Sequence, residues 1–224
     1  MCVDPQDAER LARCEEQVAA VVVAHPDDET LWAGGMILLH PKWHWTVAAL
    51  CRQGDPDRAP KFARVMDALG AAGQMGDLDD GPDQRPLDGR AVEQAVEALL
   101  GGGPFDLVLT HSPAGEYTRH RRHEEVGKAV AALWEAGRLR TAQLWMFAYD
   151  DDGGRDLPRP DPGAHLHLSL PEAVFRRKRS IITDIYGFGP DTFEARSAGA
   201  GEAFWCFDSP SSARRWIETW EERP

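Results

Sequence analysis

Two short stretches hold residue types that a hydrophobic core rejects unless they have work to do. The first is His25-Pro26-Asp27-Asp28-Glu29, reached directly from the apolar run 18–24. The second is "THSPAGEYTRHRRHEEV", which carries His111, His120 and His123 among several acids. Imidazole nitrogens and carboxylate oxygens from three side chains, with a fourth position left for water, make up a catalytic zinc site. The ion lowers the pKa of its water to about 7, and a nearby carboxylate that is not a ligand can take the proton. Adjacent aspartates such as Asp27 and Asp28 can divide these two tasks, because neighbouring side chains on an irregular turn point in different directions. A plainer reading of "PDDE" is a helix start, with Pro in the first turn and acids favoured by the helix dipole. Two separate His-and-acid segments favour chemistry over capping, provided that the fold brings them together.

The elements that must do so can be read from periodicity. Short apolar runs recur at residues 18–24, 45–51, 105–110 and 144–149, with a weaker one at 165–170. Among the first four lie helical spacings at about 30–39, 61–72, 90–100 and 123–134, with Leu69, Ala95, Leu99 and Leu133 on the expected buried faces. Strand and helix alternate, which predicts an α/β fold: a mostly parallel sheet with helices on both faces, joined by right-handed crossovers. Ligands of such sheets bind beyond the carboxyl ends of the strands. His25 ends the first run, His111 ends the third, and His123 opens the next helix, so both segments emerge at that edge. The Asp-, Gly- and Pro-rich stretches 77–89 and 150–163 read as surface loops rather than linkers. A single domain over 1–224 is expected, with an N-terminal helical extension at 1–16. An amphipathic helix at 209–222 closes the chain, with Trp216 and Trp220 four apart as core residues.

The chain of 224 residues carries 25 basic and 37 acidic side chains, a net charge of −12 that argues against nucleic acid and anionic lipid as partners. No segment approaches the roughly 20 apolar residues of a membrane span. Cys2, Cys14, Cys51 and Cys206 form no CxxC pair, and the N-terminus is polar and acidic rather than signal-like. A cytoplasmic protein is expected; its oligomeric state stays open, a homo-oligomer included. "GGG" at 101–103 lacks a GxGxxG context and reads as a turn.

"AHPDDE" after an apolar strand, Gly35 in the following helix and the later "HRRHEEV" resemble the LmbE-like or PIG-L family of metal-dependent N-acetylglucosaminyl deacetylases. The similarity extends through "GDPDRAPKFARVMDALGA" and "LVLTHSPAGEYTRH", and more loosely through "KRSIITDIYGF". It implies a Rossmann-like sheet in which His25, Asp28 and His123 bind the metal, usually Zn2+ although another divalent ion would serve. It further implies Asp27 as general base and His120 as the group that stabilises the oxyanion or protonates the leaving amine. Arg58 would help hold the sugar or an anionic substituent. Tyr117, in the loop leading to His120, can reach a substrate oxygen. The implied substrate is a small N-acetylated amino sugar conjugate, hydrolysed by water activated at the metal, with a protonated His120 sharing the developing charge. Two departures from the family pattern stand out: Arg121 and Arg122 replace the frequent Pro-Asp between the histidines, and Lys61 stands where many relatives have Glu.

Two rival functions fit less well. A metal-dependent phosphoesterase would call for a nucleophilic DxDx[TV] run or matched acids for two metals, and neither is present. A catalytically silent sugar-binding relative would show a damaged site, yet every expected ligand and the base are in place. "HLHL" at 165–168 reads as a half-exposed strand, His44 as a strand entry, His40 as a helix end, and "FRRKRS" as a solvated helix face. His111 is open between orienting a ligand and simply ending its strand.

Overall fold

The computed structural model describes residues 16–117 and 120–221. Its first strand, β1 (Val18–Val23), shows why the opening run is continuously apolar. Val18 apart, all of its side chains are buried. Ala19, Val21 and Val23 face one core while Ala20 and Val22 face the other. A strand covered on both faces has no polar side to alternate with.

The remaining elements follow in chain order: α1 (Asp28–Leu39), β2 (His44–Cys51), α2 (Arg58–Leu69), β3 (Ala72–Leu78), α3 (Gly89–Leu100), β4 (Phe105–Thr110), α4 (Arg121–Glu135) and β5 (Thr141–Phe147). Two-residue strands β6 (Tyr149–Asp150) and β7 (Arg159–Pro160) pair with each other. Then come β8 (Leu166–Ser169), α5 (Glu172–Ser180) running into a π turn at Ile181–Ile185, α6 (Phe193–Ser197), β9 (Gly201–Phe207) and α7 (Pro210–Glu221). One sheet of seven strands has the order β3-β2-β1-β4-β5-β9-β8. The first five strands of that order are parallel, and β9 joins antiparallel between β5 and β8. Residues from α1, α2 and the π turn fill one core, and residues from α3, α4 and α7 fill the other. The α/β, mostly parallel, single-domain architecture expected from the alternation is therefore the one observed.

Strand order reverses between β1 and β4, which lie side by side although β2 and β3 intervene in sequence. This reversal opens the crevice where ligands of doubly wound sheets bind. His25 lies just beyond the end of β1 and His111 directly after β4, so adjacency of the two strands delivers both segments to one place.

Several expectations need correction. The second helix ends at Leu69, and Ala72 begins β3, a strand that no apolar run announces because it is an edge strand with most of its side chains exposed or half-buried. On α3 the buried residues are Val92 and Val96, whereas Ala95 and Leu99 are only half-buried. Strand β9, "GEAFWCF", lies inside the sheet and was not anticipated. Trp216 and Trp220 stack on each other at 5.3 Å and meet Trp205 at a tilt, yet remain half-buried rather than core. "FRRKRS" is not wholly solvated: Lys178 is fully buried with its ammonium 2.7 Å from the Glu202 carboxylate. The expected N-terminal extension at 1–16 lies outside the described residues except for its last.

Helix α4 approaches the end of β4 so closely that a Cβ on Gly127 would sit 2.4 Å from the His111 carbonyl oxygen. Backbone cannot yield as a flexible side chain can. The Gly127→Ala variant is expected to lose about 1–3 kcal/mol by overpacking, read as a lower thermal midpoint.

Candidate metal centre and active site

The turn from β1 into α1 is strained. Asp27 has φ 124°, a region that non-glycine residues avoid at a cost of about 1–3 kcal/mol and that is found where function demands it. Glu29, completely buried, holds the turn: its Oε2 accepts from the Asp27 amide at 3.0 Å. Its Oε1 accepts from the Thr30 hydroxyl at 2.6 Å and the Tyr186 hydroxyl at 2.8 Å. Thus Tyr186, in the "KRSIITDIYGF" segment, braces the backbone that aims Asp27 and Asp28.

Three donor atoms then meet. His25 Nδ1 lies 3.2 Å from Asp28 Oδ2, His123 Nε2 lies 3.3 Å from the same oxygen, and the two nitrogens are 3.3 Å apart. Tetrahedral ligand arms of about 2.0–2.1 Å put neighbouring donors about 3.3–3.4 Å apart. Spacing and donor chemistry therefore fit a zinc-like divalent ion. His120 with His25 and His123, and His111 with Asp28 and His123, form two further groups whose donor atoms lie within 4.8 Å of one another.

The surrounding shell sets His111 apart from the other donors. Glu116, fully buried, puts Oε2 2.5 Å from His123 Nδ1 and 2.8 Å from His111 Nδ1. The carboxylate draws the His123 proton to Nδ1 and frees the Nε2 lone pair for a cation. His111 Nε2 accepts from the Ala24 amide at 3.0 Å. Both His111 nitrogens are thereby engaged, so the ring orients its neighbours rather than offering a free donor. Burial opposes charge on His111, while Glu116 and Asp28 raise its pKa to about 9. The Ala24 N–H, however, needs a lone pair on Nε2, and satisfying it keeps the ring neutral. Asp80 reaches in from the loop 79–88 between β3 and α3, with Oδ1 3.2 Å from His25 Nε2.

Asp27 faces the other side, into a cavity of about 560 Å³ lined by His25, Asp80, Gln84, Tyr117, His120 and Glu194, among others. Arg58 Nη1 donates to Asp27 Oδ2 at 3.0 Å, and its guanidinium lies 4.6 Å over the Phe188 ring. Arg58 thus touches the expected base, a contact that the sequence did not reveal. Tyr117 packs 4.6 Å from Phe193 and 5.7 Å from His120, at the cavity wall. His120 sits edge-on to His25 at 5.0 Å, with Nδ1 buried and without a hydrogen-bond partner among the described residues.

Electrostatics separates the two aspartates. Burial and the neighbouring Asp28 drive the Asp27 carboxyl well above the usual range, against the pull of Arg58 and His25. Burial would raise Asp28 as well, but His123 and His25 hold it well below. Burial works against charge on His25, yet hydrogen bonds with Asp28 and Asp80 raise it to about 9. Burial and the His123 and His25 rings lower His120 to about 3. This shift disfavours the protonated ring expected from the sequence.

Residues 20–134, a little over half of the chain, match the family model described as GlcNAc-PI de-N-acetylase, PIG-L, and this span contains both His-and-acid segments. The chain belongs to the PIG-L family. It is 23% identical over 146 residues to uncharacterized protein L374 of Acanthamoeba polyphaga mimivirus, covering 59% of this chain and 62% of that protein's length. The N,N'-diacetylchitobiose deacetylase of Pyrococcus horikoshii superposes with a TM-score of 0.65 at 13% identity, covering 92% of this chain and 88% of that one. The 4-carboxy-2-hydroxymuconate hydratase GalB of Pseudomonas putida KT2440 superposes with a TM-score of 0.55 at 18% identity, covering 81% and 82%. At these identities the structural likeness is one of fold, and the fold carries more than one chemistry.

Glu116, Asp80 and the bracing role of Glu29 were not foreseen. Glu116 carried a weak signal, an acid in a loop between histidines; Asp80, in a stretch crowded with acids, carried none. Two predictions follow from this geometry. Glu116→Gln should weaken divalent-metal affinity about 10–100-fold while retaining the native circular dichroism spectrum, measured by chelator competition. With His25 raised to about 9 by Asp28 and Asp80, metal binding should release protons and tighten about tenfold per proton per pH unit up to pH 9. Calorimetry in buffers of different ionisation enthalpy reads this directly; pH-independent affinity would contradict it.

Proposed function

We propose that this protein is a metal-dependent de-N-acetylase that hydrolyses the acetyl amide of a small N-acetylglucosamine-type conjugate. The observation that carries the reading is the triangle of His25 Nδ1, Asp28 Oδ2 and His123 Nε2 with a spare carboxylate, Asp27, turned into the adjoining cavity. His25, Asp28 and His123 would hold the ion, for which Zn2+ is the best match to two imidazoles and a carboxylate at this spacing. When bound, it supplies Lewis acidity toward the amide carbonyl and acidifies water.

The chain's own residues do the rest. Asp27, its carboxyl pKa raised toward the working range, takes the proton from the water that attacks the acetyl carbon. Arg58 fixes Asp27 Oδ2 and leaves Oδ1 for that proton. As the carbonyl oxygen gains negative charge, neutral His120 donates a hydrogen bond to it. Asp27 then returns the proton to the amine nitrogen as the C–N bond breaks, giving acetate and the free amine. Tyr117 and Phe193 offer an aromatic wall to a sugar face, and Asp80, Gln84 and Glu194 offer acceptors for hydroxyls.

The family's description and the deacetylase among the fold relatives support this reading over the phosphoesterase. Among the described residues no helix is long and apolar enough to cross a membrane. We assign the protein to the cytoplasm on the free, buried Cys51 and Cys206.

Acetate release from N-acetylglucosamine conjugates should vanish with chelator and return with Zn2+; turnover indifferent to chelator would overturn the reading. Asp27→Asn should bind metal yet lose about 10²–10⁴ in turnover. His120→Ala should keep metal and lose about 10²–10³, whereas His123→Ala should lose the metal too. Equal metal loss in the two histidine variants would refute the division of roles. Activity should also fall on acidification through the raised Asp27 pKa, because a protonated base cannot accept.

A further inference from the structure

Arg122 occupies the second of the two positions where this chain departs from the family's frequent Pro-Asp. It is a charged residue with 1% exposure, lying one position from His123 on α4. A buried guanidinium persists only when its donors are satisfied, and those of Arg122 turn away from the metal ligands. Nε donates to the Asp79 carbonyl at 2.7 Å, Nη2 to the Arg85 carbonyl at 2.8 Å, and Nη1 to Glu125 Oε2 at 2.6 Å. The other Glu125 oxygen accepts from the Leu87 amide at 3.0 Å. One Arg–Glu pair on α4 therefore grips the stretch 79–87 at both ends.

That stretch forms a wall of the cavity, through Asp80, Gly81, Pro82 and Gln84. Its composition, rich in Asp, Gly and Pro, provides no core of its own; Leu87 is its one aliphatic side chain, and only partly buried. Within it Gln84 Nε2 donates to Asp80 Oδ1 at 2.9 Å, and Arg52 Nε holds Asp80 Oδ2 at 2.8 Å. Gln84 lines the cavity, and its Oε1 is buried without a hydrogen-bond partner among the described residues.

We infer that Arg122 is a positioning residue that clamps residues 79–87 as the substrate-side wall and so holds Asp80 and Gln84 in place at the cavity. The substrate half of this statement rests on the proposed deacetylase reading; the clamp does not. Arg122 touches no ligand and no reacting atom, so its loss acts on binding. Because Arg52 still grips Asp80, the His25 contact survives.

The test uses the full-length protein with Arg122→Met, and Arg122→Lys as a milder variant should the first not fold. Hydrogen exchange of the amides in 81–87 should rise at least about tenfold in either, with β1 and β4 unchanged and metal content equal to wild type. With saturating Zn2+, KM for the N-acetylglucosamine conjugate should rise about tenfold and kcat stay within about threefold. A merely structural arginine would lower the thermal midpoint without moving KM, and that result overturns the inference, as does unchanged exchange in 81–87. Exchange needs no substrate: an inert wild type with a loosened loop in the variant refutes the deacetylase reading and sustains the clamp. An active wild type with a loop still protected in the variant refutes the clamp alone.

Discussion

Two imidazole lone pairs and a carboxylate oxygen forced to within 3.3 Å of one another are the constraint on which the structure depends. Such a cluster repels itself unless positive charge lies within it. Without a metal, protons supply that charge, which is why burial fails to neutralise His25 and why Asp28 is driven acidic. A divalent ion replaces the protons with a single charge at the centre. The fold delivers the cluster by two means: the strand reversal that sets β1 beside β4, and the bare Cα of Gly127 that lets α4 close upon His111.

Around the cluster lies a second layer in which nearly every buried polar atom is spoken for. Glu116 aligns two rings at once, Ala24 fixes the His111 tautomer, and Glu29 with Tyr186 stabilises the strained Asp27 backbone. In a low-dielectric interior a satisfied network is rigid, whereas a partly satisfied one is costly. Among the described residues His120 Nδ1 and Gln84 Oε1 are buried without a partner, and both residues line the cavity.

The two aspartates show how environment rather than residue type sets a role. Asp27 and Asp28 are neighbours in sequence and both buried, yet their carboxyls shift in opposite directions, because histidine rings crowd Asp28 whereas Asp27 feels the Asp28 charge, which Arg58 and His25 offset only in part. His120 differs from His123 for the same reason: Glu116 sits behind His123, whereas His120 Nδ1 has no hydrogen-bond partner among the described residues.

The sequence by itself determined the alternating α/β sheet, the position of the two His-and-acid segments at its carboxyl edge and the aspartate pair beside His25. Those signals are local: β1 is apolar throughout because both its faces are covered, and a histidine at the end of such a run is visible without knowing what it meets. Tertiary structure alone decided the rest. Edge strand β3 escaped notice because its exposed side chains carry no burial pattern, and β9 because its place in the sheet depends on pairing with β5 and β8. Glu116, Asp80 and Arg122 acquired their roles only when loops folded back onto helices. The Asp-, Gly- and Pro-rich composition of 77–89 describes a chain that can turn anywhere, and which way it turns is set by hydrogen bonds to a residue some forty positions away.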